Sequence, residues 1–206
     1  MGQLDGGAAV RLRGVVFDLD GTLVVEELDF EAMRREIGLP SGTPLLEAVE
    51  RLHGPAREAA LAVLRRHELA AAETARLNPG VADFLGWLAG RGVRQAVLSR
   101  NMREAVVKVL GRCGLSFDLV LAREDAPYKP SPEGLWQICA AWGLAPAEVL
   151  MVGDYLYDMQ AGRSAGTRTA LVTHGRALPF AGLADVAFAS FEDVPDVLRR
   201  WVGGGR

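Results

Sequence analysis

The chain is short of cysteine: Cys113 and Cys139 are the only two, and neither belongs to a Cys-x-x-Cys pair. A disulfide scaffold, a zinc ribbon and dithiol redox chemistry are therefore excluded. Both cysteines lie in apolar, helix-like surroundings and read as reduced core residues. No apolar run approaches the length of a membrane span, and Met1 to Arg13 holds two arginines without the apolar stretch of a signal peptide. A cytoplasmic protein with no membrane partner is expected. Charge of one sign is also scarce, with 23 basic against 26 acidic residues and a net charge of -3. The basic residues are scattered, so no footprint for nucleic acid stands out. Internal repeats are absent, and the one low-complexity piece, Gly203 to Gly205, is expected to be a disordered tail.

What remains is a half-apolar chain of 206 residues, enough for one substantial core and a small appended unit. Short β-branched or aliphatic runs at Gly14 to Phe17, Val93 to Leu98, Phe117 to Ala122, Val149 to Val152 and Thr169 to Val172 alternate with stretches of helical period. Helix starts are signalled by Asn101 three before Glu104, by Ser131 before Pro132, and by Ser190 three before Asp193. The runs are continuously apolar, as strands buried on both faces require, which predicts an α/β, doubly wound parallel sheet. Between Val24 and Asn78 there is helical sequence only, punctuated at Gly38-Leu39-Pro40 and Gly54-Pro55. The expected division is an α/β core of residues 1–23 and 79–206 with an all-helical insertion over residues 24–78.

Ligands of open parallel sheets bind beyond the carboxyl ends of the strands, so the residues following each apolar run matter most. Asp18-Leu19-Asp20-Gly21-Thr22 follows the first run and Ser99 the second; Lys129 lies a few residues beyond the third, and Gly153-Asp154 follows the fourth. Asp18 and Asp20, two apart in extended chain, would project to one side. One carboxylate can attack phosphorus while its neighbour protonates the departing alkoxide and later activates water. A plain Asp-Gly turn is the competing reading. Asp154 and Asp158, four apart at a helix start, suit a hard cation such as Mg2+, although Asp154 as a helix cap and Asp158 as a surface acid remain open. Ser99, assisted by Asn101, can donate to a phosphoryl oxygen or simply cap the next helix. Lys129 can neutralise Asp18 and a transferring phosphoryl group, against the alternative of a solvated loop lysine.

Taken together, Asp18-Leu19-Asp20-Gly21-Thr22-Leu23, Ser99, Lys129-Pro130 and Gly153-Asp154 with Asp158 resemble, in order and spacing, the four motifs of the haloacid dehalogenase-like (HAD) hydrolase superfamily. The resemblance implies a Rossmann-like core, Asp18 as nucleophile and magnesium ligand, and Asp20 as general acid/base with its carbonyl on the metal. It also implies Ser99 and Lys129 as phosphate binders, Asp154 as metal ligand and Asp158 as a more distant or alternative one. The insertion resembles the helical cap of the phosphoglycolate phosphatase-like branch, although Val25-Glu26 stands where relatives often have Asp-Ser and the cap is shorter. Arg34, Arg35, Arg57, Arg65, Arg66, His53 and His67 are the polar residues that such a cap could turn to a substrate, and as a group they read as solvated helix residues.

The expectation is a magnesium-dependent phosphatase that hydrolyses a small phosphorylated metabolite through a phospho-aspartate. Haloacid dehalogenases lack the second aspartate, because their leaving group needs no proton, so Asp20 favours phosphate esters. Phosphosugar mutases share the core residues but typically carry a histidine near the position of Phe30. A non-catalytic phosphate-binding module is a third reading, disfavoured by the presence of every core residue. Leaving group and oligomeric state stay open at this level.

Overall fold

The computed structural model describes residues 11–25 and 27–203, so Met1 to Val10, Glu26, Gly204 and Gly205 of the regions considered above lie outside the described residues. Among the described residues, the apolar runs become β1 (Gly14–Phe17), β2 (Arg94–Leu98), β3 (Leu119–Leu121), β4 (Val149–Gly153) and β5 (Arg168–Val172), followed by β6 (Val186–Phe188). They form one sheet in the order β3-β2-β1-β4-β5-β6, with every neighbouring pair parallel. The central strands β1 and β4 are buried at every position, which is why they read as unbroken apolar runs. The third run shortens at both ends. The sixth strand was not expected: three residues at a sheet edge, of which only Phe188 is buried, carry too little apolar pattern to announce themselves.

Successive strand residues point to opposite faces, and each face has its own helices. Val15 and Phe17 pack with helices α4 (Val81–Ala89), α5 (Arg103–Arg112) and α8 (Asp196–Gly203); Val16, Ala96 and Met151 pack with α6 (Glu133–Trp142) and α7 (Leu156–Ala165). Cys139 is buried in the second layer, Cys113 is half-covered beside the first, and both are free thiols. None of the helices among the described residues is long and apolar enough to cross a membrane.

The stretch between β1 and α4 is helical, as expected: α1 (Phe30–Ile37), α2 (Leu45–Glu50) and α3 (Gly54–Thr74). Met33, Leu45, Val49, Ala60 and Leu64 bury one another in a cluster separate from the two sheet layers. The chain enters and leaves this segment through a narrow neck. Val24 bridges Leu77 antiparallel, Val25 donates to the Arg76 carbonyl, and the Asn78 side chain donates to the carbonyls of Thr22 and Val24 at 2.8 and 3.0 Å. Val24 itself packs with the sheet layer, as does Ala72 near the end of α3, so the helical segment is anchored at its base.

The three helix-start signals fare differently. Ser131 accepts from the Glu133 amide at the start of α6, and Ser190 caps only a 3-10 turn at Phe191–Asp193, α8 beginning later. Asn101 does not cap α5. The first amides of that helix are met by carboxylates from afar, Met102 N–H by Glu68 of α3 at 2.8 Å and Arg103 N–H by Glu124 at 2.9 Å. Helix N-termini present unpaired donors and a positive dipole end, which carboxylates satisfy well.

Candidate active site

At the end of β1 the Asp18 amide donates to the Val152 carbonyl of β4, fixing the residue at the mouth of the two central strands. The next turn needs Gly21: its φ is +74°, and a Cβ there would stand 2.4 Å from an Asp154 carboxylate oxygen. The Thr22 hydroxyl donates to the same carboxylate at 3.4 Å. Gly153 has a matching purpose at the end of β4, since a Cβ would meet the Asp158 carboxyl carbon at 2.2 Å. The backbone is thus bare on both sides where the carboxylates converge. Asp154 precedes α7 rather than lying in it, and Asp158 sits in the first turn, where one oxygen accepts from the Tyr155 amide at 3.0 Å.

Lys129 is almost completely buried, not solvated, and its ammonium lies between two carboxylates: 2.5 Å from Asp18 and 2.7 Å from Asp158. Asp18, Asp154 and Asp158 each offer an oxygen within 4.8 Å of the others. Burial pushes the Asp18 carboxyl up from 3.8 to about 6, with Lys129 opposing the shift and Asp158 adding to it. Burial alone would lower the Lys129 ammonium, but Asp158 and Asp18 outweigh it and hold the pKa above the usual lysine value. Lys129 is shared by two of these carboxylates, and the third, Asp154, lies 3.7 Å from the half-exposed guanidinium of Arg176. The donor set, all carboxylate oxygen, fits a hard divalent cation such as magnesium.

Ser99, buried, donates its amide to the Leu121 carbonyl, while its hydroxyl oxygen accepts from the Asn101 amide at 3.0 Å. The hydroxyl proton remains available as a donor. The Asn101 side chain, expected to assist with phosphate, donates instead to Asp20 at 2.6 Å. Asp18, Asp20, Ser99, Asn101, Lys129, Asp154 and Asp158 all line one cavity of about 670 Å3, so the strand-end residues singled out in the sequence are brought together.

The opposite wall belongs to the helical segment: Leu28, Phe30, Met33, Leu45, Leu46 and Leu64, with Arg34 among them. Of the seven polar candidates in that segment, only Arg34 lines the cavity, held by the Thr43 carbonyl and the Glu31 carboxylate, each at 2.7 Å. Arg65 pairs with Glu104 on the outside, and Arg66 and His67 pair with Glu36. Sequence reading missed Arg100 and Arg123. Both are largely buried at the cavity, paired with Glu47 at 2.8 Å and Glu68 at 2.7 Å across more than fifty residues of chain. Only the position of Arg100, directly after Ser99, hinted at it.

The chain is similar to known proteins in both sequence and fold. The model of the family described as haloacid dehalogenase-like hydrolase matches residues 35–166, a span that contains Ser99, Lys129, Asp154 and Asp158 and begins after Asp18. A haloacid dehalogenase-like hydrolase domain-containing protein of Arabidopsis thaliana is 35% identical, over 84% of this chain and 75% of that one. A phosphoglycolate phosphatase of Aquifex aeolicus is 32% identical, over 80% of this chain and 86% of that one. The crystal structure of a predicted phosphoglycolate phosphatase from Haemophilus somnus superposes with a TM-score of 0.71 at 24% identity, covering 91% of this chain and 98% of that one, and shows the same fold. With a family match over most of its length and relatives this similar, the chain belongs to the haloacid dehalogenase-like hydrolases.

Proposed function

We propose that this hydrolase is a magnesium-dependent phosphatase that acts on a small phosphorylated metabolite through a covalent phosphate ester on Asp18. The observation that carries the reading is the buried ammonium of Lys129 shared between Asp18 and Asp158, beside an Asp20 held by Asn101, in one cavity. Asp18 is the nucleophile: its carboxylate oxygen attacks phosphorus as the ester oxygen departs. Asp20 gives its proton to that departing alkoxide and then takes one from the water that cleaves the acyl phosphate. The Asn101 amide fixes the plane of the Asp20 carboxyl for both transfers, and Ser99 donates its hydroxyl proton to a phosphoryl oxygen. Lys129 compensates charge on Asp18 and on the incoming phosphate, the kind of positioning and neutralisation on which phosphoryl transfer depends. Asp18, Asp154 and the Asp20 carbonyl would hold the magnesium ion, with Asp158 within reach, and the ion when bound supplies further charge compensation to the phosphoryl oxygens.

Residues 24–78 act in this reading as a cap that selects the leaving group, supported by the mostly apolar wall they present to the acidic one. Phe30 lines the cavity near where mutase relatives typically carry a histidine, which favours hydrolysis over isomerisation. The free thiols of Cys113 and Cys139 accord with a reducing, cytoplasmic setting. The test is hydrolysis of a generic aryl phosphate with and without magnesium, beside an Asp18→Asn variant and a panel of phosphorylated metabolites. Activity that needs both the metal and Asp18 supports the proposal. Turnover that survives Asp18→Asn removes Asp18 as nucleophile, and rapid isomerisation of a sugar phosphate with slow phosphate release points to the mutase.

A further inference from the structure

Two cavity arginines join the catalytic wall to the helical segment, Arg123 through Glu68 of α3 and Arg100 through Glu47 of α2, and Arg100 alone also holds the main chain at Lys129. Arg100 follows Ser99 and donates at 2.7 Å to the main-chain carbonyl of Lys129. Its other terminal nitrogen donates at 2.8 Å to Glu47 of α2. The guanidinium carbon lies 4.7 Å from the ring centre of Tyr128, the neighbour of Lys129, and 4.4 Å from that of Tyr157 in α7. Burial and the nearby carboxylates of Glu50 and Glu47 in α2 push the Tyr128 hydroxyl up. The second Glu47 oxygen is buried without a hydrogen-bond partner in the structure, so that carboxylate relies on Arg100 for compensation. α2 is therefore tied to the segment carrying Lys129 through Arg100, with the Tyr128 ring stacked on the same guanidinium.

We infer that Arg100 is a positioning residue that couples docking of the helical segment to placement of the Lys129 ammonium between Asp18 and Asp158. The planar fork of arginine suits this task, because it can donate in two directions while its faces stack on aromatic rings; lysine has no equivalent geometry. If α2 moves away, Glu47 and Glu50 go with it, Arg100 loses its anchor, and the Lys129 carbonyl loses a donor. The phosphate-neutralising lysine would then be fully set only when the cavity is covered. The catalytic meaning of this coupling rests on the phosphatase reading, whereas the coupling itself does not.

The sequence contains two lysines, Lys108 and Lys129, which gives a direct test. Lys108 lies on the surface, paired with Glu73, and serves as the internal reference. Metal-free wild type, Glu47→Gln, Arg100→Met and the double variant are pulsed with acetic anhydride, and acetylation at each lysine is measured by mass spectrometry. The ratio of Lys129 to Lys108 modification is expected to rise about tenfold or more in each single variant, and no further in the double. Cys139, buried in the sheet layer, should stay unreactive to a maleimide, which separates local release of Lys129 from global unfolding. With aryl phosphate and magnesium, kcat should fall about tenfold in each single variant, with no additional loss in the double.

An unchanged labelling ratio in the isosteric Glu47→Gln variant overturns the inference, as does a rise accompanied by Cys139 labelling. Losses in kcat that multiply in the double variant overturn it as well. Increased labelling in the variants, when the wild type hydrolyses no phosphate ester, leaves the coupling standing and sinks the phosphatase proposal instead.

Discussion

The two walls of the cavity are built on opposite principles. The sheet wall is charged, and its groups are fixed by backbone: Asp18 through Val152, Ser99 through Leu121, Asp158 through Tyr155, with glycines where side chains must pass close. The helical wall is mostly apolar, its side chains belong to a separate small cluster, and it connects to the sheet through a short neck. A rigid charged wall suits chemistry common to many phosphate esters, whereas an apolar wall on a hinged base suits choice among leaving groups. The contacts between them are of two kinds, one buried and one exposed, and they should differ sharply in weight.

The largest effect is expected on the charged wall. Asp18→Asn should reduce kcat on an aryl phosphate by roughly 10³-fold or more, the scale of removing a nucleophile outright, as measured by steady-state phosphate release. Gly21→Ala should come close behind: the added methyl collides with Asp154 in a backbone region that L-residues avoid, costing about 2 kcal/mol or more and most of the activity, as chemical denaturation and kinetics would report. Near-native activity in that variant would mean that the wall is less rigid than the contrast requires.

The same wall should carry a stability penalty of definite sign. The Asp18 carboxyl is raised from 3.8 to about 6 in the fold, so the folded form holds the proton more tightly than the unfolded chain. Its contribution is fully present below about pH 4 and is lost as pH rises through about 6. Metal-free Asp18→Asn should therefore be more stable than wild type at pH 7.5, by up to about 3 kcal/mol, with the gap closing as the pH approaches 4. Denaturant melts at the two pH values decide it, and a gap that widens on acidification contradicts the burial argument.

Between the walls, Glu68→Ala should cost roughly 3 kcal/mol, because it strands the largely buried Arg123 and uncaps the Met102 amide at the start of α5. Burial pushes the Glu68 carboxyl upward against the pull of Arg123, which marks the site as desolvated. Arg65→Ala breaks an ion pair of α3 with α5, to Glu104, but both side chains there are more than half exposed. Its effect on the melting temperature should be about 2 °C or less. If the two changes proved equal, burial would not be what distinguishes the contacts.

The division of labour was only half visible in the residue pattern. Asp18, Ser99 and Asp154 end apolar strand runs, so their place at one mouth of the sheet follows from local sequence and from the rule for parallel sheets. The helical character of residues 24–78 was equally plain. Asn101 was misjudged in detail, read as a helix cap and a phosphate donor, whereas its amide turns to Asp20. Arg35, Arg57, Arg65 and Arg66 are exposed, as expected of solvated helix residues, whereas Arg100 and Arg123 drew no notice in the sequence. In the sequence, Arg65 and Arg123 are alike, and the text of an amphipathic segment does not say which charge another element will cover.

From the sequence alone came the sheet, the helical insertion and the list of acidic, hydroxyl and lysine groups at the strand ends, because periodicity and strand termination are short-range properties. The tertiary structure alone decided that Lys129 is shared by Asp18 and Asp158, that Asn101 holds Asp20, and that Glu47 and Glu68 meet Arg100 and Arg123. Those pairings join residues far apart in the chain, and they depend on which side chains folding removes from water, a quantity that no local pattern of residues encodes.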